Sequence, residues 1–204
     1  MTHTPAAFYF DLASPLAYLA AERVLQALPE PAEWQPLLAR ELPAAESFDA
    51  FSRSEERDAF RAELAARAER LGLQPLRWPE PFPFDSSLAM RVATYAKSIG
   101  RTVPFAQAAF RQAFAGGRSL ADPDFVLIAA AACEMHPTAV LRGAELRSVS
   151  EQLAAATSAA AALGVRDVPA LAVGDRVFHG ERLLEHAAAE MDRSAARTPG
   201  ATAR

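Results

Sequence analysis

From Ala6 to Phe10 the chain is almost uninterruptedly apolar, and Asp11 ends the run, which predicts a short strand. Beyond Ser14-Pro15, residues Leu16, Leu19, Ala20, Val24 and Leu28 recur at helical spacing, so Leu16–Leu28 reads as a helix. Pro15 suits its first position, having no amide hydrogen to lose and a φ already near the helical value. Ser14 is then the natural N-cap. Trp34–Leu38 is a candidate second strand, and strand, helix, strand with short links is a βαβ unit.

A long stretch without strand patterning follows. Phe51–Leu71 is strongly helical, with Gly72 as its stop. Pro75, Pro79, Pro81 and Pro83 exclude a regular helix over Gln74–Phe84 and favour an extended loop. Asp85-Ser86 caps a helix running to about Gly100, and Thr102–Phe114, Asp122–Glu134 and Ser148–Leu163 follow as helices. Ala170–Val173 and Arg176–Phe178 read as strands joined by a Gly174-Asp175 hairpin turn. Gly180 opens a last helix to about Met191. The order βαβ, helices, ββα defines an α/β thioredoxin-like fold with a large all-helical insertion. The boundaries are 1–40 and 164–192 for the thioredoxin-like part and 41–163 for the insertion. The small, polar tail 193–204 is expected to be disordered.

Composition narrows the function. With 204 residues, 51% of them hydrophobic, and a net charge of −4, the chain can bury a full core. It offers no basic footprint for nucleic acid. Its one cysteine, Cys133, excludes an internal disulfide, a CxxC redox pair and a multi-cysteine zinc site. Cys133 itself reads as a small apolar residue of an Ala-rich helix. Phe125–Cys133, the most apolar stretch, is far too short to span a bilayer, and no signal peptide is visible, so a cytoplasmic location without membrane attachment is expected. No metal site is expected: His179-Gly180-Glu181 mimics half of a zinc-deaminase motif whose Pro-Cys-x-x-Cys half is missing. His136, before Pro137 in a loop, reads as structural.

Two places carry candidate chemistry. Asp11-Leu12-Ala13-Ser14-Pro15 lies where a strand meets a helix N-terminus, whose free N–H groups and dipole favour an anion. A thiolate there has its pKa lowered. With serine at that position the protein supplies no sulfur but can hold that of another molecule; alternatively, Ser14 only caps the helix. Val165-Arg166-Asp167-Val168-Pro169 directly precedes a strand. Pro169 is either a plain trans strand initiator or part of a cis bond that turns the Val168 backbone toward a ligand.

The segment Phe8-Tyr9-Phe10-Asp11-Leu12-Ala13-Ser14-Pro15-Leu16-Ala17-Tyr18-Leu19-Ala20 closely resembles the opening of the 2-hydroxychromene-2-carboxylate isomerases, relatives of kappa-class glutathione transferases and DsbA-like thiol oxidases. The resemblance continues through Trp34-Gln35-Pro36-Leu37-Leu38, Phe82-Pro83-Phe84-Asp85-Ser86 with Arg91, and Gly164–Leu183. It implies glutathione as cofactor, with Ser14 stabilising the glutathione thiolate and Val168, before a cis Pro169, pairing its backbone with the cysteinyl part. The family's Gly-x-Asp-Arg corresponds to Gly180-Glu181-Arg182, one residue short and with Glu181 for Asp. Its Lys-x-x-Tyr corresponds to Arg57-Asp58-Ala59-Phe60, which keeps a charge as a planar fork and loses a hydroxyl. Asp85 stands where relatives often have Asn.

The expected activity is an isomerase of aromatic catabolism, in which a thiolate adds to a small aromatic-derived acid and leaves unchanged. Trp78, Phe82 and Phe84 would line the substrate pocket, and Arg57 or Arg91 would meet a carboxylate. Those three aromatics serve equally as anchors of the Pro-rich loop. A kappa-like transferase and a non-catalytic binding module are the alternatives, and a homodimer is a further expectation.

Overall fold

The computed structural model describes residues 5–43 and 54–196. Four short strands form one mixed sheet: β1 (Ala7–Phe10), β2 (Glu33–Pro36), β3 (Ala170–Val173) and β4 (Arg176–Phe178), in the order β2-β1-β3-β4. β1 and β2 run parallel, with Ala7 opposite Glu33 and Phe10 opposite Pro36. Parallel neighbours need a crossover, which α1 (Pro15–Ala21) and α2 (Val24–Ala27) supply. β3 is antiparallel to both β1 and β4. The hairpin turn sits on Gly174, at φ 62°, a conformation glycine adopts without a Cβ penalty.

Alternation along β1 sets the core. Phe8 and Phe10 are fully buried and pack edge-on against Trp34, with ring centroids 5.0 and 5.7 Å apart. Each buried aromatic of this kind contributes about 1.5–3 kcal/mol. Phe10 also meets Phe110 of the helical block, at 5.9 Å.

That block comprises α3 (Ser54–Arg70), α4 (Ser87–Ser98), α5 (Thr102–Phe114), α6 (Pro123–Ala131), α7 (Pro137–Glu145) and α8 (Arg147–Leu163). Its apolar faces join those of the sheet in one continuous core, through Met90, Phe105, Phe110 and Phe114. On the opposite face of the sheet, a smaller cluster of Leu37, Ala39, Leu42, Ala160, Val165, Val168 and Ala170 fixes the approach to β3. α9 (Leu183–Ala196) packs on β3 and α2. Its buried Glu190 is ion-paired with Arg193 at 2.7 Å and with Arg176 of β4. No helix among the described residues is long and apolar enough to cross a membrane.

The fold expected from the sequence is therefore present, with local corrections. The helix expected over Leu16–Leu28 breaks at Glu22-Arg23, where the Arg23 N–H bonds the Ala20 carbonyl, three residues back, at 3.0 Å. α1 packs on α5 and α2 on α9, so one straight helix could not serve both. β2 ends at Pro36, and Leu37-Leu38 lead into a short 3-10 turn at Ala39–Glu41. Residues 51–53 of the expected Phe51–Leu71 helix lie outside the described residues. Asp85 takes the capping role next to Ser86: its Oδ1 accepts the Ser87 N–H at 3.0 Å.

His136 is not in a plain loop, because Pro137 opens α7, a helix the sequence reading missed. Gly180 forms a left-handed turn at φ 83°, and the last helix begins only at Leu183. The tail expected from 193 is helical through 196, held by the Arg193–Glu190 pair, and 197–204 lie outside the described residues.

α7 lies so close to α4 that a Cβ on Gly143 would strike the Tyr95 ring. Gly143→Ala is expected to lower unfolding stability by about 1–2 kcal/mol in urea titration, the overpacking cost exceeding alanine's helical advantage. Unchanged or increased stability would show that the interface yields freely.

Candidate functional site

Ser14 is the N-cap of α1: its Oγ accepts the Ala17 N–H at 3.1 Å, and the side chain is buried. Pro15 follows at the first helical position, so both sequence cues for the helix start are realised. The Ser14 hydroxyl also donates to the Val168 carbonyl, across 154 residues, at 3.4 Å. At that length the donation is weak, and the proton is available to a better acceptor. The Val168–Pro169 bond is cis. The two segments singled out in sequence thus meet, helix start against the turn into β3.

Beside them lies a cavity of about 170 Å³, lined in part by Leu16, Arg67, Val168, Pro169, His179 and Glu181. Two of its polar residues were not anticipated as site residues. Arg67 belongs to the stripe Phe60-Leu64-Arg67 of α3, at i, i+4, i+7, and its Nη2 donates to the Glu181 carbonyl at 3.1 Å. An arginine in a helix's apolar stripe is the signal that would have found it. His179 has a buried Nε2 without a hydrogen-bond partner.

The other expected residues divide. Arg57 has a buried, unpartnered Nε and approaches Asp58 at 3.9 Å, so its guanidinium retains donors. Arg182 is exposed and is not among the cavity's lining residues. Arg91 lies half-buried on α4. Trp78, Phe82 and Phe84 form a chain of edge-on contacts, at 5.0 and 6.2 Å, that continues to Phe114. The Arg61 guanidinium lies over the Trp78 ring at 4.9 Å. This cluster lies apart from the walls of the Val168 cavity. Cys133 is buried in the helical core, and burial pushes its thiol pKa up, against a smaller opposing effect of Arg101. It makes a poor nucleophile.

Asp11, at the end of β1, is fully buried. Its two oxygens accept different N–H groups, Oδ1 from Ala13 and Oδ2 from Ala39, both at 2.9 Å. Burial raises its pKa, and the two backbone hydrogen bonds, Ser86 and Arg40 oppose that rise.

A mixed sheet with a helix N-terminus and a cis-proline turn side by side is a thioredoxin-type arrangement, here with Ser14 at the head of α1. The chain belongs to the DsbA-like thioredoxin domain family, whose profile matches residues 7–192. Among solved structures it is similar to a 2-hydroxychromene-2-carboxylate isomerase, with a TM-score of 0.82 and 19% identity over 97% of this chain and 100% of that one. The cytosolic disulfide reductase DsbM of Pseudomonas aeruginosa superposes at 0.65, with 11% identity over 96% and 100% of the two chains. Its complex with GSH superposes at 0.64, with 12% identity over 95% and 100%. These likenesses are of fold. No curated protein matches the chain in sequence.

Asp11→Asn places an NH2 group against one of two N–H donors and is expected to cost about 1–3 kcal/mol. The raised pKa adds a sign. The folded state holds the Asp11 proton to higher pH than the unfolded chain, so the associated stability is present at acid pH and is lost as pH rises through the raised pKa. The deficit of the variant, read from urea titrations at several pH values, should therefore shrink as pH rises. A deficit that grows with pH would contradict the assignment.

Proposed function

We propose that the chain is a cytoplasmic, glutathione-dependent isomerase of the 2-hydroxychromene-2-carboxylate type. One observation carries this reading: the Ser14 hydroxyl, at a helix N-terminus, lies against the Val168 carbonyl of a cis-proline turn, with no sulfur of the chain's own at that position. A serine hydroxyl is a weak nucleophile without an adjacent base. Bound glutathione would supply the thiolate nucleophile that the chain lacks.

The residues present fit such a ligand. Ser14 can turn its weakly held proton from the Val168 carbonyl to a sulfur anion, and the N-terminal dipole of α1 favours the same charge. The Val168 backbone would pair with the extended cysteinyl segment. Arg67, anchored on the Glu181 carbonyl, brings a cation to a cavity large enough for a ligand group, and Arg57 holds donors in reserve for a carboxylate. Trp78, Phe82 and Phe84 would give the aromatic part of the substrate an apolar surface, with Arg91 for its acid group. The structural similarity to the isomerase and to a disulfide reductase solved with GSH supports the choice of ligand.

The test is turnover of a 2-hydroxychromene-2-carboxylate with and without glutathione while free thiol is followed. Isomerisation at constant thiol is the expected result. Stoichiometric loss of thiol would replace the isomerase by a transferase, and a rate indifferent to glutathione would sink both. Ser14→Ala should lower the glutathione-dependent rate by roughly a hundredfold, the scale of one lost donor to a developing anion. The lost cap should cost only about 1 kcal/mol in stability.

A further inference from the structure

The Val168 backbone, to which the proposed function assigns the ligand's cysteinyl segment, already has both of its polar groups in use. Its carbonyl accepts from Ser14 at 3.4 Å, and its N–H donates to Oδ1 of the neighbouring Asp167 at 2.7 Å. The first bond is at the edge of hydrogen-bonding distance; the second is short and involves a carboxylate, the stronger class of acceptor. A ligand that pairs with Val168 as a β-strand would must take this N–H from Asp167. We propose that Asp167 is an internal competitor for the ligand, and so a determinant of the affinity of this site.

The exchange is balanced by what lines the cavity. Asp167 shares the cavity wall with Arg67 and His179, while Glu181 brings a second carboxylate. A carboxylate released from Val168 stays in a cavity wall that also holds a guanidinium and an imidazole whose Nε2 lacks a partner. Its release gives up the Val168 hydrogen bond, and the half-buried carboxylate does not become a fully buried charge. Ligand affinity is thereby reduced by one hydrogen bond's worth, and the empty site keeps its Val168 N–H satisfied. The same bond orders the residue before Pro169 when no ligand is present, which pre-shapes the turn that Ser14 faces.

The inference rests on glutathione binding at Val168, and calorimetric titration of glutathione separates the two. Asp167→Ala removes the competitor and should tighten glutathione binding by roughly threefold to tenfold, the scale of one net hydrogen bond. Asp167→Asn retains an oxygen acceptor for the Val168 N–H and should stay within about twofold of the parent chain. Thermal melts of both variants check that the fold is kept. Unchanged or weaker binding by Asp167→Ala overturns the competitor role while leaving the glutathione reading intact. Equal tightening by both variants also overturns it, since charge rather than the hydrogen bond would then set affinity. Failure of the parent chain to bind glutathione removes the proposed function, and the competitor with it.

Discussion

The buried carboxylate of Asp11 ties two pieces of chain that lie outside the strand ladders. One oxygen holds the Ala13 N–H in the turn between β1 and α1, and the other holds the Ala39 N–H just beyond β2. Ser86, at the start of α4, opposes the rise in the Asp11 pKa that burial causes, so the helical block also acts on this group. A carboxylate removed from water is costly unless its lone pairs are filled, and here one backbone N–H reaches each oxygen. The position of Ser14, three residues on, follows: its own N–H bonds the Asp11 carbonyl at 3.0 Å, so the helix start is fixed relative to the sheet and to the insertion together.

The same joint explains why the helical block is not an ornament on a thioredoxin-type sheet. Met90 of α4 receives the Leu12 N–H on its sulfur at 3.2 Å, and Tyr18 of α1 stacks on Phe114 of α5 at 5.7 Å. From the far side, Thr157 of α8 accepts the Leu38 N–H at 3.1 Å while donating to the Leu153 carbonyl. Backbone polar groups around the site are thus met by the insertion. α3 completes the enclosure by reaching, through Arg67, the turn that precedes α9.

Much of this was legible in the sequence because local chemistry and tertiary context agree. Ser14-Pro15 reads as a helix start whether or not it is a site. The apolar run of β1, the Gly174-Asp175 turn and Gly164 after α8 are cues that packing does not overrule. The missed features share a physical cause. The break at Glu22-Arg23 and the helix at Pro137–Glu145 depend on which neighbours each segment packs against. A proline and a glycine six residues apart suggest a loop until Pro137 is seen to open the helix rather than stop it. Asp11 reads in sequence only as the end of a strand, since the donors that justify its burial lie 2 and 28 residues away. Arg67 and His179 were passed over for the same reason, for their roles exist only where α3 and the Gly180 turn close on Val168.

The substitution of serine for a thiol at the head of α1 changes what the surrounding residues must do. A resident cysteine would be activated by the helix dipole and resolved by a second cysteine, and the chain has no cysteine at this site. With Ser14 the dipole and hydroxyl remain, and both suit an anion that arrives from outside. On the proposed reading, such an anion would be positioned by contacts other than a covalent bond to the chain, which moves the burden to the cis-proline turn and the cavity beside it. That the cavity gathers a guanidinium, an imidazole and two carboxylates around the entry to β3 is intelligible on this basis. Cations and anions lining one cavity suit a ligand that carries both, as the peptide of the proposed function does, better than a uniformly apolar one.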